Sequence, residues 1–306
     1  MAAEAPVPTD RGRELVRGSY DMHVHIAPDT VERRIDDVGL AHRCRELGLA
    51  GFELKSHYTS TAERAAVVRG VVPEVEVFGA VTLNRAVGGM NPLAVEIAAR
   101  EGARTVWLPT VDSLNEMTGA HELAPGAKPP VWMRLQQELR DQGVEIEPVR
   151  VVDDAGALLA ETRAVLESVA RHGMVLATGH LSRDEIFAVV DAAVEAGIAT
   201  IVITHPEFPA QDVGIGDQVE LAAKGALLER CFTTPHTGKV TWERVFEAIR
   251  ATGPEHSVLS TDLGQVFNPP VEDGLALMAD HLLEAGFDEE EIRTMAVTNT
   301  RRWAGA

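Results

Sequence analysis

The sequence has few cysteines, no long apolar run and a shortage of basic residues, and each shortage excludes a class of protein. Two of its 306 residues are cysteines, Cys44 and Cys231, so we expect neither a disulfide framework nor a Cys-x-x-Cys zinc site. No run of about 18 apolar residues is present, so no membrane-spanning helix is expected. Residues 1–16 lack the apolar core of a secretory signal, and a reducing cytoplasm therefore fits best.

Acidic residues outnumber basic ones, 47 to 28, which gives a formal net charge of −19. This balance argues against nucleic acid and against an anionic membrane surface as partners. An anionic small molecule remains compatible, because a local group of arginines can hold it. Repeats and linkers are also missing, and 45% of the residues are hydrophobic, so residues 1–306 are expected to form a single domain.

Four strand-like segments end in a histidine or an aspartate, and the first carries two histidines. These segments are Tyr20–His25, Leu176–His180, Ile201–His205 and Val258–Asp262. Alternate residues of a strand share a face, roughly 6–7 Å apart. His23 and His25 can therefore bind one metal ion together. Recurrence of such an ending on four strands indicates a common metal site.

Strand-like and helix-like segments alternate along the whole chain. The other four strands are predicted at 51–57, 76–83, 105–109 and 225–232, and amphipathic helices at 36–47, 182–196 and 241–251. Ser182 and Glu185 have the spacing of a capping box, which predicts a helix start directly after strand five. Eight such units predict a (β/α)8 TIM barrel, with the metal site at its C-terminal mouth.

The connection between strands four and five, Thr110 to Gly173, is longer than one helix requires. Within it, 144–152 alternates like one arm of a hairpin, and a turn is predicted at 153–156. We interpret about 111–156 as an insertion that covers the barrel mouth, with Trp132 and Met133 as an apolar cover. A surface embellishment without a function is the alternative.

Strand two places three polar residues on one face, because Glu53, Lys55 and His57 alternate with smaller or apolar residues. These three side chains should point into the barrel, with His57 nearest the mouth. Buried charges need partners or a metal. His57 is therefore predicted as a sixth ligand, or alternatively as a hydrogen-bond partner of the ligands.

The six candidate ligands suggest two half-sites. A set of two histidines and one carboxylate suits non-haem iron, and a set of three histidines suits zinc or iron. The first set is His23, His25 and Asp262, and the second is His57, His180 and His205. Residue types alone leave the metal and this division open.

This constellation resembles the amidohydrolase superfamily, whose metal-dependent barrels hold one or two ions. In that superfamily the ligands are His-x-His on strand one, a histidine on each of strands five and six, and an aspartate on strand eight. The resemblance covers essentially the whole chain and matches His23, His25, His180, His205 and Asp262. Strand four departs from the pattern, because 105–110 contains no lysine, glutamate or histidine to bridge two metals.

Two further residues are predicted to serve catalysis, as a bridge between metals or through contacts with the ligands. Lys55 is either carboxylated into a bridge or remains a cation paired with Glu53 or Asp262. Glu229 on strand seven is either a carboxylate ligand or a member of an ion pair inside the barrel, and the ion pair is favoured. Arg85 and His236 follow strands three and seven, where they are predicted to contact substrate.

The histidine-rich ligands, the missing strand-four bridge and the pair Lys55 and His57 look most like a smaller group of barrels. These are the TIM-barrel non-haem diiron monooxygenases of platensimycin and platencin biosynthesis, an antibiotic pathway. The resemblance implies two iron ions, O₂, an electron donor, and hydroxylation of a bulky apolar, diterpenoid-type acyl group carried on coenzyme A.

Two other functions remain open from the sequence. The first is a hydrolase of an amide, lactone or thioester, which would use zinc or another divalent metal, with Asp262 as proton shuttle. The second is a barrel without activity whose metal is structural. The sequence leaves a homo-oligomer open as well.

Overall fold

A computed structural model describes residues 6–119 and 131–306, and it contains eight parallel strands in a nearly closed barrel. The strands are β1 Tyr20–Val24, β2 Gly51–Leu54, β3 Glu76–Thr82, β4 Ala103–Trp107, β5 Val175–Ala177, β6 Ile201–Ile203, β7 Leu227–Cys231 and β8 Ser257–Ser260. Each strand pairs with the next one in the chain. Beyond β8, the Asp262 N–H donates to the His23 carbonyl over 2.8 Å and brings β8 to β1. The predicted TIM barrel is confirmed.

Helices lie outside the strands. They are α1 Asp10–Leu15, α2 Asp37–Leu47, α3 Ala62–Val71, α4 Pro92–Arg100, α5 Leu114–Thr118, α6 Val131–Asp141, α7 Ala160–His172, α8 Arg183–Glu195, α9 Ile215–Ala223, α10 Thr233–His236, α11 Trp242–Thr252, α12 Gly274–Glu284, α13 Glu289–Arg293 and α14 Asn299–Ala304. None of these described helices has the length and apolar character needed to cross a bilayer.

The three helices predicted from periodicity are present, each beginning one residue later than predicted. Asp36, Ser182 and Thr241 are the N-cap residues, with extended backbone, rather than the first helical residues. The predicted capping box is confirmed, since Glu185 Oε2 accepts from the Ser182 N–H over 2.8 Å. Capping therefore fixes where α8 begins, three residues after the candidate ligand His180.

The predicted hairpin arm at 144–152 is not a strand, and only its end pairs across the turn predicted at 153–156, where residues 151–153 face residues 157–159. Val149 instead forms a single parallel bridge with Ser113, just after β4, and Val152 forms one antiparallel bridge with Leu158. Val149 and Val151 are buried, which accounts for the alternation, and the Leu159 N–H donates to the Val151 carbonyl over 3.1 Å. Residues 120–130 of the insertion lie outside the described residues.

A polar network closes the amino end of the barrel. Trp303 of α14 is fully buried, and its indole N–H donates to Thr105 Oγ1 over 2.9 Å. The Thr105 hydroxyl donates to Glu53 over 2.6 Å, and the Trp107 indole N–H donates to the same carboxyl over 3.2 Å. Burial raises the pKa of Glu53 to about 8 from its usual 4.5.

Glu53 should make stability fall as the pH rises. Between pH 4.5 and about 8 the folded chain holds its Glu53 proton and the unfolded chain does not. This difference of one proton lowers the free energy of unfolding by about 1.4 kcal/mol per pH unit across that window. Glu53→Gln should remove that contribution, as urea unfolding of both proteins from pH 5 to pH 8 would measure.

The test rests on the pH dependence and not on the absolute stability. Glutamine has one acceptor oxygen, so the variant loses one of the two hydrogen bonds at every pH. That loss shifts the free energy of unfolding of the variant by the same amount at every pH, so it does not change the slope of stability against pH. Parallel curves for the two proteins would show that Glu53 keeps an ordinary pKa in the barrel.

Candidate metal centre

Five imidazoles form a ring at the carboxyl ends of the strands, and all five are buried. Ring centroids are 5.3 Å apart for His23–His25, 4.7 Å for His25–His57, 6.4 Å for His57–His180, 5.0 Å for His180–His205 and 6.0 Å for His205–His23. Four different strands supply them. The structure thus brings together every histidine that the sequence proposed as a ligand.

Asp262 completes the strand-one half-site. Its Oδ1 atom lies 3.3 Å from Nε2 of both His23 and His25. The three ligand atoms lie within 4.8 Å of one another, close enough to share one cation. The Asp262 side chain is 19% exposed, against 1% and 3% for the two histidines, so it is the member that meets solvent.

The outer nitrogens of two further histidines are already engaged. His180 Nδ1 lies 2.9 Å from Glu116 Oε2, and His57 Nδ1 lies 2.9 Å from Thr110 Oγ1. These contacts leave Nε2 of each ring as the nitrogen available to a metal. A carboxylate behind a histidine is a common arrangement in metal sites, where it fixes the ring orientation.

Glu229 supports the ring from below. Its Oε1 atom lies 2.8 Å from His23 Nδ1 and accepts from the Ser260 hydroxyl over 2.8 Å, while Oε2 accepts from the His205 backbone N–H over 3.1 Å. Burial raises the pKa of Glu229, but its interactions with His23 outweigh burial and lower that pKa to about 2. Both carboxylate oxygens of Glu229 already have hydrogen-bond partners, which favours an ion pair inside the barrel over direct ligation of a metal.

The protonation states suit a divalent cation. Burial lowers the pKa of His25 to about 3 and holds the pKa of His57 and His205 well below the usual range. Burial opposes ionisation of Asp262, yet the neighbouring His23 and His25 hold its pKa well below the usual range. Neutral imidazoles and an ionised carboxylate are the forms that bind metals. In the described residues, the buried Nδ1 atoms of His25 and His205 also lack hydrogen-bond partners.

Two candidate ligands have unusual backbone conformations. His205 has φ 23° and Asp262 has φ 53°, both in the left-handed region that non-glycine residues rarely adopt. Gly179, just before His180, has φ 62°, and a Cβ there would lie 2.3 Å from the Leu108 carbonyl oxygen. Strained backbone of this kind concentrates at functional sites.

Lys55 reaches the ring, but its partner is not one of the carboxylates considered from the sequence. Its Nζ atom lies 2.8 Å from His23 Nε2 and 3.9 Å from the centre of the Trp107 ring. Among the described residues, the Lys55 amine makes no ion pair with Glu53 or Asp262 within 4.0 Å, and its contact is with His23.

The two predicted substrate contacts lie in different places. Arg85 lines a cavity of about 530 Å³ together with Tyr58 and Asp112, and the five ring histidines are not among its lining residues. The Tyr58 ring lies 6.1 Å from the His57 ring. The Arg85 side chain also donates to the backbone carbonyls of 147 and 148 over 2.7 Å. His236, by contrast, stacks on Phe232 at 4.8 Å and does not join the imidazole ring.

Glu116 is a residue of the candidate site that sequence reasoning missed. It lies in α5, within the insertion, three residues after the N-cap Ser113. Such spacing indicates only a helix start, and it does not predict that the Glu116 side chain contacts a distant residue. A buried carboxylate in the insertion ties that segment to the ring, and Asn115 adds hydrogen bonds to the carbonyls of His180 and Ala210 over 3.1 and 2.7 Å.

Removing Glu116 should weaken metal binding without unfolding the chain. Glu116→Ala frees the His180 ring to rotate, and loss of such a supporting group typically costs about 10–100-fold in metal affinity. A competition titration against a chromophoric chelator would measure the change. Glu138→Ala, an exposed change in the same insertion, should leave the affinity unaltered. Unchanged affinity in Glu116→Ala would contradict the assignment of His180 as a ligand.

Fold and histidine ring together define a (β/α)8 barrel with a candidate metal centre. A family described as "Family of unknown function (DUF6282)" matches residues 18–229, and the chain belongs to that family. No curated protein matches the chain.

Solved structures share the architecture at low sequence identity. An amidohydrolase from Pseudomonas aeruginosa has a TM-score of 0.60 and 13% identity, covering 96% of this chain and 99% of its own. A metallo peptidase from Rhodobacter sphaeroides, liganded with a phosphinate mimic of the dipeptide L-Ala-D-Ala, has a TM-score of 0.58 and 14% identity. The match covers 95% of this chain and 99% of the peptidase. A 2,6-dihydroxybenzoate decarboxylase from Rhizobium has a TM-score of 0.53 and 10% identity. The match covers 94% of this chain and 98% of the decarboxylase. These likenesses show a common fold, and the reactions belong to those proteins.

Proposed function

We propose that the protein is a metal-dependent hydrolase of an amide, lactone or thioester. The observation that carries this proposal is the ring of five buried imidazoles with Asp262, the one partly exposed carboxylate, at its edge. Amidohydrolase and metallo peptidase are the names of two of the solved structures with this fold, which supports hydrolysis over other chemistry.

The residues that would hold the metal are His23, His25, His57, His180, His205 and Asp262. A divalent ion bound there supplies a Lewis acid for a carbonyl group and activates a water molecule. Asp262 accepts a proton at its carboxylate and returns it to the departing group, since its side chain meets both the ring and solvent. The cavity beside Tyr58 and Arg85 takes the remainder of the substrate.

Hydrolysis can be tested with metal-free protein that is reloaded with zinc. The expected result is release of a free acid from at least one member of a panel of amides, lactones and thioesters, without oxygen. The metal-free protein should be inactive on the same panel. A zinc-loaded protein that cleaves no member of a broad panel would contradict the proposal.

A second candidate is the iron-dependent monooxygenase. One observation favours it: His23, His25 and Asp262 form a two-histidine, one-carboxylate set, which suits non-haem iron. This reaction would need iron, O₂, an electron donor and an acyl-coenzyme A substrate. Oxygen uptake by the iron-loaded protein, with an oxygen atom from O₂ in the product, would favour this candidate. The three compared structures carry names of hydrolytic and decarboxylating proteins, so it ranks second.

A further inference from the structure

The cavity that Arg85 lines lies between the insertion and the loops that follow β2, β3 and β4. Its volume of about 530 Å³ is within the range of small-molecule sites. Side chains of the insertion give it an apolar wall, and its lining carries three carboxylates but one guanidinium. The residues of the apolar wall are Leu139, Val144 and Ile146, and the charged residues are Asp112, Glu145, Glu147 and Arg85. This balance favours a cationic ligand over an anionic one.

Asp112 is a buried carboxylate without a countercharge. It is 3% exposed, and among the described residues no lysine, arginine or histidine side chain lies within 4.0 Å of its oxygens. The Arg85 backbone N–H donates to Oδ2 over 2.9 Å, and the Gln136 amide donates to Oδ1 over 3.0 Å. A carboxylate accepts about four hydrogen bonds, so part of its capacity is unused. Burial raises the pKa of Asp112, and these hydrogen bonds offset the rise only in part.

Arg85 does not supply the countercharge, and it is poorly placed to receive an anion. Nε and Nη2, two of its three nitrogens, donate to the backbone carbonyls of 147 and 148 over 2.7 Å. The Glu147 carboxylate lies 3.8 Å from the same Nη2 atom. An anion at this guanidinium would therefore displace bonds within the protein and face a carboxylate. A phosphate or carboxylate ligand is disfavoured for that reason.

Tyr58 forms another part of the cavity wall and suits a cation. Its hydroxyl is buried and has no hydrogen-bond partner among the described residues, so it can accept from an ammonium group. The face of a tyrosine ring also attracts cations. Because Asp112 and Tyr58 both offer acceptors, an ammonium with N–H donors fits better than a quaternary one.

The loops that line the cavity also hold one histidine of the ring. Asn84, which precedes Arg85, donates from its amide to the His57 carbonyl over 2.9 Å and to the Thr110 hydroxyl over 2.7 Å. That hydroxyl lies 2.9 Å from His57 Nδ1. A ligand in the cavity is therefore bound by segments that also position a residue of the candidate metal centre.

We propose that this cavity binds a primary ammonium group carried on an apolar body, with the ammonium paired with Asp112. For the proposed function, this ligand is the part of the substrate that extends away from the metal, so the amide, lactone or thioester carries an amine. That step rests on the proposed function, whereas binding of the ammonium needs neither metal nor turnover.

Three six-carbon probes separate the effect of charge from that of size. Calorimetric titration of wild type with n-hexylammonium, hexanoate and hexanamide, with and without zinc, would give their affinities. We expect one hexylammonium per chain, bound at least about tenfold more tightly than either other probe, as hydrogen bonds to a charged partner imply. Asp112→Asn should remove this preference. Glu138→Gln makes the same charge change at an exposed position of α6 outside the cavity and should keep it.

Glu145→Gln is the second variant if Asp112→Asn does not fold, because Glu145 is exposed and lines the same cavity. It should weaken hexylammonium binding and leave hexanamide binding unaltered, and an unaltered affinity for hexylammonium would overturn the inference. Absence of hexylammonium binding, equal or tighter binding of hexanoate, or a preference that persists in folded Asp112→Asn would overturn it too. Binding that depends on Asp112, with no hydrolysis of any substrate, would refute the proposed activity alone.

Discussion

Asp262→Asn is expected to reduce hydrolytic activity by about 10²–10⁴-fold, the usual contribution of a positioned acid–base group. Asparagine keeps the size of the side chain and tolerates the left-handed backbone at φ 53°, but it cannot accept and return a proton. The chain should stay folded, since the backbone bond from residue 262 to the His23 carbonyl is unchanged. Initial rates on a substrate that wild type cleaves would measure the loss.

Asp212→Asn is the matched control for this prediction. Asp212 is also a left-handed aspartate, with φ 36°, but it is exposed and lies outside the ring. The same substitution there should leave the rate within about twofold of wild type, in line with the small effects of surface changes. Comparable rates for Asp262→Asn and wild type would rule out the proton-transfer role.

Gly264→Ala is expected to cost about 4 kcal/mol or more of stability, among the largest effects of a single substitution. Gly264 has φ 140°, and a Cβ there would lie 1.5 Å from the His25 carbonyl oxygen. This oxygen belongs to the backbone of a candidate ligand, so relief requires β1 and the segment after β8 to separate. Urea unfolding would show the loss, and metal affinity should fall with it, because His25 and Asp262 move apart.

Gly70→Ala makes the same chemical change with the opposite expected sign. Gly70 lies in α3, and a Cβ there would meet nothing within 4 Å. Alanine should stabilise that helix by about 0.5–1 kcal/mol, because it loses less backbone entropy on folding. Gly264→Ala with wild-type stability would mean that the contact between β1 and β8 relaxes without cost.

The barrel and the histidine ring could be predicted because both follow from short-range patterns. Alternation places Glu53, Lys55 and His57 on one face within five residues, and strand endings place the other ligands at one rim. The common fold then brings together residues that are far apart in sequence. Nothing beyond the strand order was needed to predict that His23 and His205 lie near each other.

Other parts depended on contacts that local patterns do not encode. Glu116 reaches His180 across 64 residues, and no motif in the sequence links the two positions. Arg230 is fully buried on the outer side of β7, where Glu207, Gln218 and Thr252 bind it, although arginine in a strand usually indicates exposure. The sequence also could not predict that Lys55 contacts His23, because several carboxylates and one imidazole lie close enough to be its hydrogen-bond partner.

The hydrogen bond between Trp303 and Thr105 joins residues 198 positions apart, and it has a consequence for biosynthesis. Contacts this distant form late, because the entropy of closing so long a loop is lost before they stabilise the chain. Until β8 leaves the ribosome, the nascent protein presents an unfinished parallel sheet with open edges, and until α14 follows, Thr105 lacks its Trp303 partner. Such intermediates aggregate, so slow synthesis and chaperones should govern the yield of this protein more than its final stability does.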